Sequence, residues 1–339
     1  MGSDVSEPVS LTKLSARLAR RQIIESGHHK GKKAHGRGDF FLLHDDVVRP
    51  VLKWSLKSLG LYESGLSAAR QPVVRSICFE FSSLPAAFHG FRILHLSDLH
   101  IDGVPGLAER TAEIVSTLPV DVCVMTGDYR FEVFGTCANV YPRMGLILRA
   151  IRARHGVLGI LGNHDPAEVA MELAQMGVHM LINDATELRS GGSNLWIAGV
   201  DDPHYYGCDD LGTALSGVPT DGFKVLLAHT PEMYEEARAA GIHLYLCGHT
   251  HGGQIRLPKP FRGSWAAPIR NAACPQEYTY GSWSYGGLRG YTTAGVGASL
   301  LPVRYNCPPE IVVIELRRNS TNNLGVAEIA LPSYGVRES

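Results

Sequence analysis

Residues Leu246 to Pro258 read LCGHTHGGQIRLP, with His249 and His251 two apart and glycine at 248, 252 and 253. Alternate residues of an extended chain point to opposite faces, so imidazoles at i and i+2 reach one cluster only where the chain bends. Glycine permits such a bend. An isolated His-x-His is also common as a polar turn or a pair of surface histidines, so this stretch raises a metal site without deciding it.

Four more apolar runs end in polar residues and glycine in the same way: FRILHLSDLH, VDVCVMTGDYR, HGVLGILGNHD and FKVLLAHTPE. Each reads as a strand running into a loop. Helical candidates lie between several of them, at Leu107 to Leu118, Tyr141 to Arg154, Ala167 to Gln175 and Glu232 to Ala240. The alternation predicts an α/β arrangement around a buried sheet. The polar residues then meet at the carboxyl edge, where open α/β sheets bind ligands. Asp98, His100, Asp128, Asn163, His164, His229, His249 and His251 converge there from separate loops, at intervals too irregular for one helical stripe.

Collected, these residues offer carboxylates, imidazoles and one amide oxygen, and no thiolate belongs to the pattern. Mixed oxygen and nitrogen donors suit manganese, iron, zinc, nickel or cobalt better than calcium. Four ligands satisfy a tetrahedral zinc, and the surplus implies two divalent ions. A carboxylate between two cations can bridge them, and Asp128, after Gly127, is the natural candidate.

The ordered set SDLH, GDY, GNHD, AHTP and GHTHGGQ, from Phe91 to Leu257, resembles the five blocks of the calcineurin-like metallophosphoesterases. The resemblance implies a four-layer α/β/β/α sandwich with its metal site at the carboxyl ends of the strands. It implies that Asp98, His100 and His251 bind one metal, that Asn163, His229 and His249 bind the second, and that Asp128 bridges them. His164 is left beside the phosphate to donate a proton; joining the metal cluster or capping the next helix are its plainer roles. A two-metal-activated hydroxide is then the nucleophile. Phe131 stands where the protein phosphatase branch of this family has an aspartate, so that branch is disfavoured and the orienting partner of His164 is left unassigned. GHTHGGQIRLP and the stretch from Tyr285 to Leu316 are similar to the bacterial YkuE-like subgroup, in which this tail flanks the site. That neighbourhood makes a nucleotide-linked lipid such as UDP-2,3-diacylglucosamine a candidate substrate. A metal-free interaction scaffold on the same fold is the rival reading, disfavoured because every ligand position holds a competent donor.

The supporting residues have simpler readings. Gly162 and Gly248 are turn residues, Asp165 before Pro166 is an N-cap, and GVGAS near Gly295 is a turn rather than a phosphate loop. Arg289 and Arg304 meet phosphate or sit in surface salt bridges. The loop GVDDPHYYGCDD, with Asp201, Asp202, His204 and Tyr205, either closes over the site or is a polar connection to a helix capped by Asp210.

The 339 residues are 45% hydrophobic and 19% charged with net charge −1, ordinary values for a globular protein. Seven scattered cysteines without a CxxC pair suggest neither a disulfide framework nor a zinc ribbon, and point to a reducing, cytoplasmic compartment. No signal peptide or spanning apolar run is read, nor any nucleic-acid motif. The chain divides into a basic N-terminal extension with amphipathic helices (1–88), a catalytic domain (89–320) and a C-terminal strand or tail (321–339). The extension holds a helix from Leu11 to Glu25, a basic loop, and a second helix within VRPVLKWSLKSLGLY. There Leu52, Leu56 and Leu59 share a face and Lys53 and Lys57 lie off it. Contact with an anionic membrane and packing on the core are both open to this segment. The expected partner at the site is a phosphorylated small-molecule or lipid-linked substrate.

Overall fold

The computed structural model describes residues 10–27, 36–37, 45–258, 265–266, 271–319 and 326–328. The basic loop after the first helix, apart from Gly36 and Arg37, and the tail, apart from one short strand, lie outside the described residues.

Near-continuous Val, Ile and Leu runs form parallel strands buried on both faces. In the first sheet, β2 (Phe91–Leu96), β3 (Val122–Met125), β4 (Val157–Gly159) and β5 (Val178–Met180) are parallel neighbours. β1 (Val73–Phe81), β14 (Glu310–Arg318) and β15 (Val326–Glu328) extend it to seven strands in the order β15-β1-β14-β2-β3-β4-β5. β14 runs parallel to β1 and antiparallel to β2. In the second sheet β7 (Ser193–Gly199), β8 (Phe223–Leu227), β9 (Leu244–Cys247) and β13 (Leu288–Thr292) are parallel. The edges are the antiparallel β6 (Asp184–Ser190) and β12 (Gly281–Tyr285), and β10 (Leu257–Pro258) pairs with β11 (Trp265–Ala266) in a separate antiparallel ribbon.

One apolar core, including Phe79, Ile93, Val124, Leu158, Val225 and Leu246, fills the space between the sheets. A second lies between the seven-stranded sheet and α4 (Leu107–Ser116), α5 (Val140–Ala150) and α6 (Ala167–Gln175). A third, smaller one covers the outer face of the six-stranded sheet, where α7 (Leu211–Ala214) and α8 (Tyr234–Ala239) pack. The layers run helix, sheet, sheet, helix. Asp210 caps α7, its carboxylate accepting the Thr213 amide at 2.8 Å.

The two N-terminal helices have different fates. α1 (Leu11–Gly27) packs on α6 and turns Leu14, Leu18 and Arg21, an i, i+4, i+7 stripe, into the body. α2 (Asp45–Ser58) has no buried residue among those described; Leu56 alone leans onto Tyr62, Leu301 and Val303. α3 (Tyr62–Ala69) follows it and buries Tyr62, Gly65 and Ala69.

Candidate metal centre

The loops after β2, β3 and β4 carry Asp98, His100, Asp128, Asn163 and His164, and those after β8 and β9 carry His229, His249 and His251. All eight are buried. The structure brings them into one cluster, with the oxygen donors from one sheet and three imidazoles from the other.

Asp128 Oδ2 sits in the middle, 3.3 Å from His229 Nε2, 3.6 Å from His100 Nε2 and 4.0 Å from His164 Nε2. Its other oxygen accepts the His164 amide at 2.8 Å. On one side, His251 Nε2 lies 3.6 Å from Asp98 Oδ1 and 3.2 Å from His100 Nε2. On the other, Asn163 Oδ1 is 2.9 Å from both His229 Nε2 and His249 Nδ1. Among the described residues, three groups have donor atoms close enough to share an ion: Asp98, His100 and His251; Asp128, His229 and His249; and His100, Asp128 and His164.

The far nitrogens of the rings are tied down. Nδ1 of His100, His164 and His229 lies 2.6, 2.8 and 2.7 Å from the carbonyls of Arg130, Phe131 and Thr126, and His249 Nε2 lies 2.8 Å from that of Asn271. Each such contact makes the far nitrogen the donor, so that the near one is the nitrogen able to offer a lone pair to an ion in the cluster, the arrangement metal-ligating histidines adopt. The donor set therefore fits divalent ions. His251 departs from the pattern: Arg304 Nη2 lies 3.2 Å from its Nδ1.

The backbone is bent to allow this. Asp98, His100, Asp128, His249 and His251 all have φ between 37° and 68°, in the left-handed region that side chains other than glycine's avoid. Strain of about 1–3 kcal/mol per residue is held here by the surrounding structure. Gly162 and Gly248 are needed for space rather than for φ: a Cβ at either would strike the Asp128 or Asp98 carboxylate.

Charge explains the titration of the cluster without ions. Burial opposes charge on His229, yet Asp128, Asp98 and Asp202 outweigh it and push this imidazole up to about 10. Burial likewise opposes charge on Asp128, but His229, His164 and His100 hold its carboxyl well below the usual range. Burial pushes Asp98 up to about 6, and burial, with His164 beside it, brings His100 down to about 3.

A supporting shell escapes the sequence reading. Asp165 does not cap α6. Its carboxylate accepts the amides of Asp128 (2.7 Å), Tyr129 (2.9 Å) and Gly162 (2.9 Å), locking two ligand loops together, while Glu25 of α1 accepts the first helical amide, Ala167 (2.8 Å). Arg21 is fully buried, bonds Asp201 at 2.6 Å and donates to the carbonyls of Gly162 and Asp165 on either side of Asn163 and His164. Its place on the apolar stripe of α1 was the available signal. Arg304 is fully buried rather than in a surface salt bridge, donating to the carbonyls of Gly297 and Ala294 in the loop against Asp98. Arg289 pairs in register with Leu244 at the start of β9, the end of the sheet away from the cluster. The loop from Asp201 is a buried wall of the site. Asp202 accepts the amides of His204, Tyr205 and Tyr206, and His204, bonded to Glu232 at 2.9 Å, packs its ring 4.3 Å from that of His249.

Comparison with known proteins yields a consistent answer. The family model for calcineurin-like phosphoesterases matches residues 91–253. The chain is 33% identical over 251 residues to the uncharacterized metallophosphoesterase YkuE of Bacillus subtilis (strain 168), covering 71% of this chain and 83% of that protein. It is 30% identical over 239 residues to phosphodiesterase YaeI of Escherichia coli (strain K12), covering 67% and 82%. A transmembrane protein with metallophosphoesterase domain from Bos taurus is 31% identical over 230 residues, covering 62% of this chain and 51% of that one. Among the described residues here, no helix is long and apolar enough to cross a membrane.

Proposed function

The chain belongs to the calcineurin-like phosphoesterase family and is a phosphoric ester hydrolase, and we propose that it works with two divalent ions held by the eight-residue cluster. Asp98, His100 and His251 would hold one ion, Asn163, His229 and His249 the other, and Asp128 would lie between them. Two ions bound there supply Lewis acidity: they activate water, hold phosphoryl oxygens and offset charge that develops in an in-line displacement. The observation that carries the reading is the position of Asp128 Oδ2, within 4.0 Å of Nε2 of His100, His164 and His229, with Asn163 Oδ1 linking His229 to His249. Bare of cations, such a concentration of imidazoles and buried carboxylates is costly.

His164 has a separate role. Its Nδ1 bonds the Phe131 carbonyl at 2.8 Å, which fixes the ring with Nε2 on the cluster side, 4.0 Å from Asp128 Oδ2, the nitrogen that would serve the leaving oxygen. That carbonyl takes the place of the carboxylate absent at position 131 as the group that orients the ring for proton delivery. Asp165 and Arg21 keep the Asn163–His164 loop at its distance from Asp128. The bond cleaved is a phosphoester or a pyrophosphate, and the name of the relative YaeI favours a diester. A nucleotide-linked lipid such as UDP-2,3-diacylglucosamine is the substrate class we carry forward.

The test is hydrolysis of bis(p-nitrophenyl) phosphate and p-nitrophenyl phosphate by metal-stripped protein, before and after Mn²⁺ is restored. We expect turnover only with metal and a faster rate on the diester. Equal turnover by the stripped protein would overturn the reading.

A further inference from the structure

We propose that α2 and the turn after it form a docking surface for an anionic lipid bilayer, beside the loop whose Phe131 carbonyl holds His164. Most apolar residues of a folded chain find cover, and contiguous exposed ones mark an interaction surface. Here Trp54 is 71% exposed, Leu59 69% and Val51 56%, with Leu52 and Leu61 also exposed. On a helix these residues span a broad arc with Ser55 and Ser58 between them, and Leu56, at the edge of that arc beside Leu52, is the one that leans onto the body. Lys53 and Lys57 border the arc, each ammonium lying 5.3–5.6 Å from the Tyr62 ring, and neither forms an ion pair among the described residues. From Arg49 to Leu61 there are three cations and no acid; Asp45, Asp46 and Glu63 lie outside that stretch.

An apolar face with exposed tryptophan and leucine, bordered by lysine, matches the interface of an anionic membrane. A second copy of the chain would leave these like charges facing one another. α1, the other basic helix, does not compete for this role, because its apolar stripe is already buried.

The surface adjoins the site directly. Arg49 pairs with Glu132 at 2.7 Å and lies 4.9 Å over the ring of Phe131, whose carbonyl holds His164. In the same loop Phe134 is 65% exposed. A bilayer seated on α2 therefore lies beside the residues that border His164. The inference deepens the lipid-linked substrate proposed above and rests on that reading only for what the surface presents.

The experiment is co-sedimentation of the full chain with phosphatidylcholine vesicles, with and without phosphatidylglycerol, together with tryptophan emission. We expect binding to anionic vesicles alone, weakened by salt, with a blue shift that Trp54→Phe removes. Trp54→Ser with Leu59→Ser lowers vesicle binding at least about tenfold, and Lys53→Gln about fivefold, the loss of one surface-facing cation. Hydrolysis of soluble p-nitrophenyl esters stays unchanged in all of them. Absence of binding overturns the proposal, as does binding that survives the double serine variant, or a dimer that the same variant dissociates while vesicles are ignored. A chain that binds vesicles but hydrolyses no phosphoester keeps the surface and sinks the hydrolase mechanism, so the two failures are distinguishable.

Discussion

The two sheets contribute unlike halves to one centre. The seven-stranded sheet delivers both carboxylates and the amide, with His100 and His164, whereas the six-stranded sheet delivers three histidines and no acid. The consequence is visible in His229, an imidazole from the second sheet pushed up to about 10 because burial, which opposes its charge, is outweighed by carboxylates reached across the seam. His249 and His251, dominated by burial, are held well below the usual imidazole range. The difference teaches that the centre exists only when the sheets are in register at their carboxyl ends. His249 itself joins them through its amide, bonded to the Asp98 carboxylate at 2.9 Å.

That division can be broken from either side. Asp128→Asn keeps the shape and removes the central charge, and turnover with Mn²⁺ should fall on the order of 10³-fold, the loss of several kcal/mol of charge stabilisation. In the metal-free protein the same change should bring His229 down toward ordinary imidazole titration, followed by proton NMR; an unmoved His229 would show that the carboxylate does not hold it. His249→Ala, from the histidine side, should lower activity and metal affinity less, by roughly 10–100-fold.

His164→Ala should slow esters with poor leaving groups by about 10²-fold or more while sparing p-nitrophenyl esters, which need little protonation. Arg21→Met leaves Asp201 buried without its cation and should cost about 3–5 kcal/mol of stability by denaturant unfolding. The conservative Arg21→Lys keeps the charge and should recover part of it.

The mildest test is pH. His229 holds its proton more tightly folded than unfolded, so its contribution to the stability of the metal-free protein is complete below about 6.5 and is lost as pH rises through about 10. Metal uptake has to displace that proton, so affinity should rise over the same interval. Stripped protein should unfold at lower denaturant at pH 9.5 than at pH 7; the opposite slope would mean that His229 is neutral when empty.

The ligand loops were legible because each is short, follows an apolar strand and carries a rare residue type. SDLH and GHTH announce themselves without any knowledge of what lies beside them. What the sequence left hidden was the shell that holds these loops, because its partners are distant and many are backbone carbonyls. Asp165 looked like a cap because proline follows it, but tertiary bonds to Asp128 and Gly162 took precedence over the local motif. Arg21 reads as one cation among several in a basic helix; its i+7 place on the Leu14–Leu18 stripe is what sets it apart from Lys13, which remains exposed. The partner of His164 is hidden for a related reason: the side chain at position 131 is a phenyl ring with no acceptor, and the structure supplies the main-chain oxygen of that same residue.

The most direct test of the central claim is the number of metal equivalents per chain after stripping and reloading with Mn²⁺, measured on the native protein, Asp128→Asn and His164→Ala. The account predicts two for the native protein, two for His164→Ala and fewer for Asp128→Asn. A single equivalent in the native protein, or one lost in His164→Ala, would contradict it.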